Sequence, residues 1–304
     1  MEIKVRRFIL GIACSICFAI AGCNQDADVP DELSRWYEEV SIIENQLAAD
    51  GLVAEKDPET GISMVITKLG TGLPAQLTHT MDVDYVGRRF EDKVQFDAGN
   101  TKLKLSDYIP GWRTAFSKLP KGTEAKIIIP SLFGYGSTGS GGGIPPNTIL
   151  EFDVKFNKAT PPNAELQRLA MDTVAIDTYL TNKSIDAVKD STGLRYVITT
   201  PGIGPTATWF DRLTIKYSIK LLSDDTRALV TLERAPSENY YSRPIDYIHG
   251  MMIGLQKLSI GSKATLYIPS PLGFGGVEIS DGTTGATVPA NSNIIVEVEV
   301  IDID

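Results

Sequence analysis

The sequence is short of the side chains that covalent, redox and metal chemistry use. Only three cysteines occur in 304 residues, Cys14, Cys17 and Cys23. The rest of the chain has none, which excludes disulfides and cysteine-held zinc there. His79 and His249 are the only histidines, and no carboxylate cluster accompanies them, so neither a metal site nor a cofactor is expected. Basic charge is also lacking. A net charge of −9 without a clustered basic patch argues against a nucleic-acid partner, because phosphate binding needs grouped Lys and Arg. No apolar run reaches the roughly 20 residues of a membrane-spanning helix. The glycine-rich stretch 137–143 is not followed by Lys-Ser/Thr; it is not a phosphate loop and reads as a mobile flap.

What is present begins with an address. Lys4, Arg6 and Arg7 precede an apolar stretch from Phe8 to Gly22, the pattern of a secretory signal. Its end, Ile20-Ala21-Gly22-Cys23, resembles a bacterial lipobox. That resemblance implies cleavage before Cys23 and lipidation of its sulfur, with several acyl chains making a stable anchor. A plain signal peptide or a membrane anchor is the alternative. Residues 23–30 are polar and read as a tether. The expected location is the cell envelope, lipid-anchored at the outer membrane on its periplasmic or surface face, with the lipid as the only membrane contact.

The remainder repeats itself. Thr60-Gly61-Ile62-Ser63-Met64-Val65-Ile66-Thr67 recurs as Thr192-Gly193-Leu194-Arg195-Tyr196-Val197-Ile198-Thr199. Lys118-Leu119-Pro120-Lys121-Gly122 matches Lys257-Leu258-Ser259-Ile260-Gly261, and Ile144-Pro145-Pro146-Asn147 matches Val288-Pro289-Ala290-Asn291. The offset grows between matched segments, as surface-loop insertions would make it. The length suits two domains.

Each copy opens with a helical pattern. Leu33, Trp36, Tyr37, Val40, Ile43 and Leu47 have helical spacing between Pro30 and Ala49, and Asp50-Gly51 supplies the stop. The second copy has Leu166, Leu169, Val174, Ile176 and Leu180 in a looser pattern. Each helix either packs on its own domain or acts as a spacer. Strand patterns follow at 81–86, 125–129 and 149–156, with one short helix expected over 111–119. A few antiparallel strands around one short helix make an α+β domain.

Residues 80–156 then carry a run of motifs in a fixed order: Tyr85-Val86-Gly87, Phe96-Asp97, Ile109-Pro110-Gly111-Trp112, Leu119-Pro120-Lys121-Gly122, Ile127-Ile128-Ile129-Pro130-Ser131, Gly134-Tyr135-Gly136, Ile144-Pro145-Pro146-Asn147 and Phe152. Together they resemble the FKBP-type peptidyl-prolyl cis-trans isomerase family. Taken singly, Trp112, Phe96 and Phe152 could be core residues, and Asp97 could close a turn. The resemblance implies two tandem FKBP-like domains, each a curved antiparallel sheet around a short helix and each preceded by a helix. The expected boundaries are 1–22 for the signal, 23–30 for the tether, 31–158 for an isomerase domain and 159–304 for a degenerate one. By resemblance, Trp112 forms the floor under a proline ring, and Tyr85, Phe96, Ile109 and Phe152 form the walls. Tyr135 donates its hydroxyl to a substrate carbonyl, Asp97 lies at the rim, and Ile144 contributes from the flap. Leu103 stands where the family often has phenylalanine, and Tyr108 where it usually has a small aliphatic. The catalytic set is therefore Tyr85, Phe96, Asp97, Trp112 and Tyr135, with proline-containing polypeptides as substrates.

The second copy keeps the scaffold and loses this set. Met251 stands at the position of Trp112, Phe274 at Tyr135 and Val296 at Phe152, and no Phe-Asp pair occurs between Tyr217 and Ile248. This copy is expected to lack activity and to bind a protein partner, space the first domain from the membrane, or dimerise. Asn239-Tyr240-Tyr241-Ser242-Arg243 reads as a partner contact or as a neutral loop. The alternative for the whole chain is a binding or chaperone lipoprotein that keeps the fold without turnover. A purely structural lipoprotein would leave the retained pocket set unexplained.

Overall fold

Ile127-Ile128-Ile129 is apolar without alternation, and all three side chains are buried. A strand of that kind needs cover on both faces. The computed structural model supplies it, and describes residues 31–141, 143–232, 242–280 and 287–304. The signal, the tether, Cys23 and the Asn239-Tyr240-Tyr241 part of the polar-aromatic insertion lie outside the described residues. The chain divides into two compact units, with the division in sequence between Pro162 and Asn163.

In the first unit, α1 (Asp31–Ala49) precedes β1 (Glu55–Lys56), β2 (Ser63–Lys68), β3 (Thr80–Arg89) and β4 (Gln95–Thr101). The short helix α2 (Pro110–Phe116), β5 (Glu124–Ile129) and β6 (Leu150–Thr160) follow. The strands form one antiparallel sheet in the order β1-β2-β5-β6-β3-β4. Met64, Ile127, Ile129, Phe152 and Phe156 pack with Trp112, Ala115 and Phe116 of α2 on one face. Val65 and Ile128 point the other way and pack with Ile43 and Leu47 of α1. Strand alternation thus assigns one helix to each face. Pro110 starts α2 at a position whose N–H has no partner within the helix. A Cβ on Gly111 would lie 2.4 Å from Ile129 Cγ2, so this glycine permits α2 to sit directly on β5.

The second unit repeats the plan. It comprises α3 (Asn163–Asn182), β7 (Val188–Lys189), β8 (Arg195–Thr200), β9 (Leu213–Leu221), β10 (Asp224–Leu232), α4 (His249–Leu255), β11 (Lys263–Ile268), β12 (Ile279–Ser280), β13 (Thr287–Val288) and β14 (Ile294–Ile303). Its sheet order, β7-β8-β11-β14-β9-β10, is that of the first unit element for element. Gly250 repeats Gly111, with Ile268 Cγ2 at 2.4 Å from the added Cβ position. Both leading helices pack on their own sheets, α3 through Ile176 and Leu180 against Tyr267 and Ile295.

Three sequence expectations shift. The short helix ends at Phe116 rather than Leu119, because 117–119 turn into the next strand. β6 continues to Thr160, past the boundary placed at 158, because it stays paired with Thr80 and Met81. Val174 and Leu166 do not join the core of α3: Val174 is 67% exposed, since the buried stripe runs through Asp172, Ile176 and Leu180.

Candidate functional site

Trp112 lies at the centre of an aromatic basin and is only 3% exposed. Tyr85 and Phe152 meet its ring edge-on, with centroids at 5.4 and 5.3 Å. Phe116, one turn later on α2, lies at 5.1 Å. Tyr108 stacks on the indole at 4.9 Å and 20°. Phe96 meets Phe152 edge-on at 5.7 Å. Ile144 is buried in the same cluster, and Ile109 packs against it half-buried.

Strand register explains why these residues converge. Tyr85 and Gly87 project to one face of β3, and Phe152 on β6 pairs with Gly87. On β4, Asp97 pairs with Gly87 but Gln95 pairs with Arg88, which leaves Phe96 as an extra residue in a bulge. A bulge re-aims a side chain. Here it lets the adjacent Phe96 and Asp97 both serve the same side of the sheet. A Cβ on Gly87 would lie 2.7 Å from Phe96 and 2.9 Å from Phe152. The Tyr-Val-Gly motif therefore needs its glycine so that two phenyl rings can close over the backbone.

The rim is polar. The Tyr85 hydroxyl donates to Asp97 Oδ2 at 2.7 Å, and the Ala98 N–H donates to Asp97 Oδ1 at 2.9 Å. Burial, then the bond to Asp97 and its charge, push the Tyr85 phenol up to about 12. Tyr135, 39% exposed, is also raised, by burial first and then by the Asp97 charge. Among the described residues, no group is hydrogen-bonded to the Tyr135 hydroxyl, which leaves it available as a donor. Tyr108 is fixed by its hydroxyl, which lies 2.8 Å from Thr101 Oγ1 and accepts the Leu103 N–H at 3.1 Å.

Of the ten sequence-predicted pocket residues, Tyr85, Phe96, Tyr108, Ile109, Trp112, Ile144 and Phe152 share one cluster. Asp97 and Tyr135 stand at its edge. Leu103 is 52% exposed and lies outside that cluster. Sequence reasoning missed Phe116 and Thr101. Phe116 was legible as the i+4 neighbour of Trp112 on a helix. Thr101 carried no local signal.

The second unit has no such basin among its described residues. Met251 and Val296 are fully buried, and Tyr217 and Tyr247 pack edge-on at 6.1 Å. The Tyr247 hydroxyl lies 2.5 Å from Ser242 Oγ, five residues before it, where Tyr108 reaches Thr101, seven residues before it. Met251 replaces the ring on which the first basin is organised. No three His, Cys, Asp or Glu side chains among the described residues are grouped to hold a metal ion. No helix among them is long and apolar enough to cross a membrane.

The family model for FKBP-type peptidyl-prolyl cis-trans isomerases matches residues 73–157 and again 204–301, more than half of the chain. The chain belongs to that family. An FKBP-type peptidyl-prolyl cis-trans isomerase FkpA from Escherichia coli K12 is 33% identical over 129 residues, covering 40% of this chain and 47% of the relative. A probable FkpA from Neisseria meningitidis serogroup B is 33% identical over 135 residues, covering 43% and 48%. The chain spans about half the length of the curated relatives it matches. Among solved structures, it is similar to FkpA from Escherichia coli at 26% identity, with 42% of this chain and 61% of that chain covered and a TM-score of 0.37. The FKBP family thus has two copies here, one with the aromatic basin and one without.

Proposed function

We propose that the first unit catalyses cis/trans isomerisation of X-Pro bonds in exported polypeptides, and that the second unit is non-catalytic. The observation that carries this reading is the ring of Tyr85, Phe96, Phe152 and Tyr108 around Trp112, rimmed by Asp97 and Tyr135. Rotation about the X-Pro amide faces a barrier of about 18–20 kcal/mol, because twisting breaks resonance. The twisted amide has less charge separation than the planar one. A dry aromatic basin therefore stabilises it preferentially, without a nucleophile or a proton transfer. Trp112 holds the proline ring from below, and Tyr135 donates to a flanking carbonyl. Asp97 accepts from Tyr85 and fixes that wall while meeting the twisted amide at the rim. Ile144 closes the basin from the flap. Lipidated Cys23 holds the chain at the cell envelope, where newly exported proteins fold. The second unit contacts a protein partner, spaces the first unit from the membrane, or dimerises.

A protease-coupled assay of the whole chain on proline peptides tests turnover directly, and a rate equal to the uncatalysed one would refute it. The pH dependence is a separate prediction. Tyr85, pushed to about 12, and Tyr135, raised in the same direction, stay protonated through neutral pH. The rate of isomerisation is therefore nearly flat from about pH 6 to 9. A bell-shaped profile in that window contradicts the mechanism.

Binding without turnover is the second reading, and the second unit favours it, because that copy keeps the same sheet order with Met251 in place of the central tryptophan. A proline peptide that shifts Trp112 fluorescence but is not isomerised would select this alternative.

A further inference from the structure

The leading helix of each unit does more than cover the sheet. Glu39 on α1 is buried, and its carboxylate accepts two hydrogen bonds from Ser131, one from the backbone N–H and one from the hydroxyl, both at 2.6 Å. One turn earlier, Arg35 Nη1 donates to Asn147 Oδ1 at 2.7 Å. Ser131 begins the segment that leaves β5 and carries Tyr135, and Asn147 lies just before β6, close behind Ile144. Asn147 has a left-handed backbone, φ 57°, and its N–H donates to Gly136 O at 2.8 Å, next to Tyr135. One helix face therefore grips both stems of the segment that presents Tyr135 and Ile144.

The second unit repeats the arrangement. Asp172 on α3 is buried and accepts from the Ser270 N–H at 2.9 Å and the Ser270 hydroxyl at 2.5 Å. Arg168 donates to Asn291 O at 2.6 Å and pairs with Asp172 at 2.8 Å. Asn291 is again left-handed, φ 60°, and its N–H donates to Gly275 O. An Arg and an acid four residues apart, a Ser after the central strand and a left-handed Asn before the last one thus recur in both copies.

We propose that Arg35 and Glu39 are positioning residues, a clamp by which α1 sets the Tyr135–Ile144 segment against the aromatic basin. The proposal rests on the isomerase reading of the first unit. The bonds of Arg35 and Glu39 to Asn147 and Ser131 lie outside the aromatic cluster. The two residues act through Ser131 and Asn147, and hence through Gly136, which is bonded to Asn147 and adjacent to Tyr135. Freeing one stem lowers the fraction of molecules whose segment is in the binding-competent arrangement. The apparent affinity for substrate falls by that fraction, while a molecule that has bound proceeds as before. A merely structural role predicts the opposite split, because partial unfolding removes active molecules and lowers kcat at constant KM.

The test uses the full chain with Arg35→Met, which keeps the aliphatic stem and removes the bond to Asn147. Isomerisation of a proline tetrapeptide is expected to show KM raised roughly tenfold with kcat unchanged. Arg35→Lys is expected to recover part of the loss, and Arg168→Met in the second unit is expected to leave both constants as they are. An unchanged KM, or a fall in kcat alone, overturns the proposal. A second readout does not depend on turnover. Amide exchange at Gly139, Ile144 and Asn147 is expected to quicken about tenfold in Arg35→Met, with β5 and β6 amides unaffected. Equal exchange in the two proteins overturns the clamp. Absence of turnover in the unsubstituted chain would instead count against the isomerase reading and leave the clamp to be judged by exchange.

Discussion

Trp112→Leu lowers kcat/KM for prolyl isomerisation by about tenfold or more, equivalent to about 1.4 kcal/mol of transition-state stabilisation. The indole makes four ring contacts, with Tyr85, Tyr108, Phe116 and Phe152. Each such pair contributes about 0.5–1.5 kcal/mol beyond area burial. Leucine keeps the site apolar but is too small to hold Tyr85 and Phe152 edge-on, so the walls relax inward and the floor is lost. Trp112→Phe retains one ring and is expected to fall between the two. The measurement is kcat/KM of each variant, with the folded fraction fixed by circular dichroism. A folded Trp112→Leu protein with the original kcat/KM contradicts the assignment of the floor.

Asp57→Ala destabilises the first unit by about 1.5–3 kcal/mol, the usual worth of hydrogen bonds to a charged group. Asp57 sits in the loop between β1 and β2 and is nearly inaccessible, as is its partner Lys118, at 5% and 16% side-chain exposure and 2.6 Å apart. The same carboxylate accepts the N–H of Thr60 at 2.9 Å and its hydroxyl at 2.6 Å. Burial raises the Asp57 pKa, but the charge and hydrogen bond of Lys118 and the two bonds from Thr60 outweigh it and hold the carboxyl below its ordinary value. The group is therefore more acidic folded than unfolded. Its stabilisation is fully present above about pH 4, the unfolded range, and is lost as pH falls through the lowered folded value. Thermal melts at pH 7 are expected to show Asp57→Ala melting roughly 5–15 °C lower. As the pH falls through that lowered value the gap between the two proteins narrows. A gap that stays constant from neutral pH into acid contradicts the ion-pair account. Lys118 follows α2, so this pair ties the Trp112 helix to the edge of the sheet.

The fold was legible because its periodicities are strong. The alternation of 81–86 gave β3, the β-branched run Ile127-Ile128-Ile129 gave β5, and the recurrence of Thr60–Thr67 at Thr192–Thr199 gave the second unit. Most of the basin was legible too, because Tyr85, Phe96, Asp97 and Trp112 each sit in a short motif whose order is informative. What was hidden depends on partners distant in sequence. Arg35 and Glu39 look like ordinary charges on an amphipathic helix until Asn147 and Ser131 are brought to them. Their recurrence as Arg168 and Asp172 at a common offset was the one available signal. Tyr108 was read as a substituent of the pocket, but its hydrogen bonds to Thr101 and Leu103 and its stacking on Trp112 depend on how the β4–α2 connection folds. Leu103 shows the converse: its position suggested a wall, yet the same connection leaves it half in solvent.

The activity of the two units prepared separately, residues 31–162 and residues 163–304, tests the central claim most directly. Rates of cis/trans exchange in one proline peptide, read by NMR without a coupling protease, are expected to rise with the first unit as they do with the whole chain. The second unit is expected to leave them at the uncatalysed value. Acceleration by residues 163–304, or a folded first unit without effect beside an active whole chain, would contradict the account.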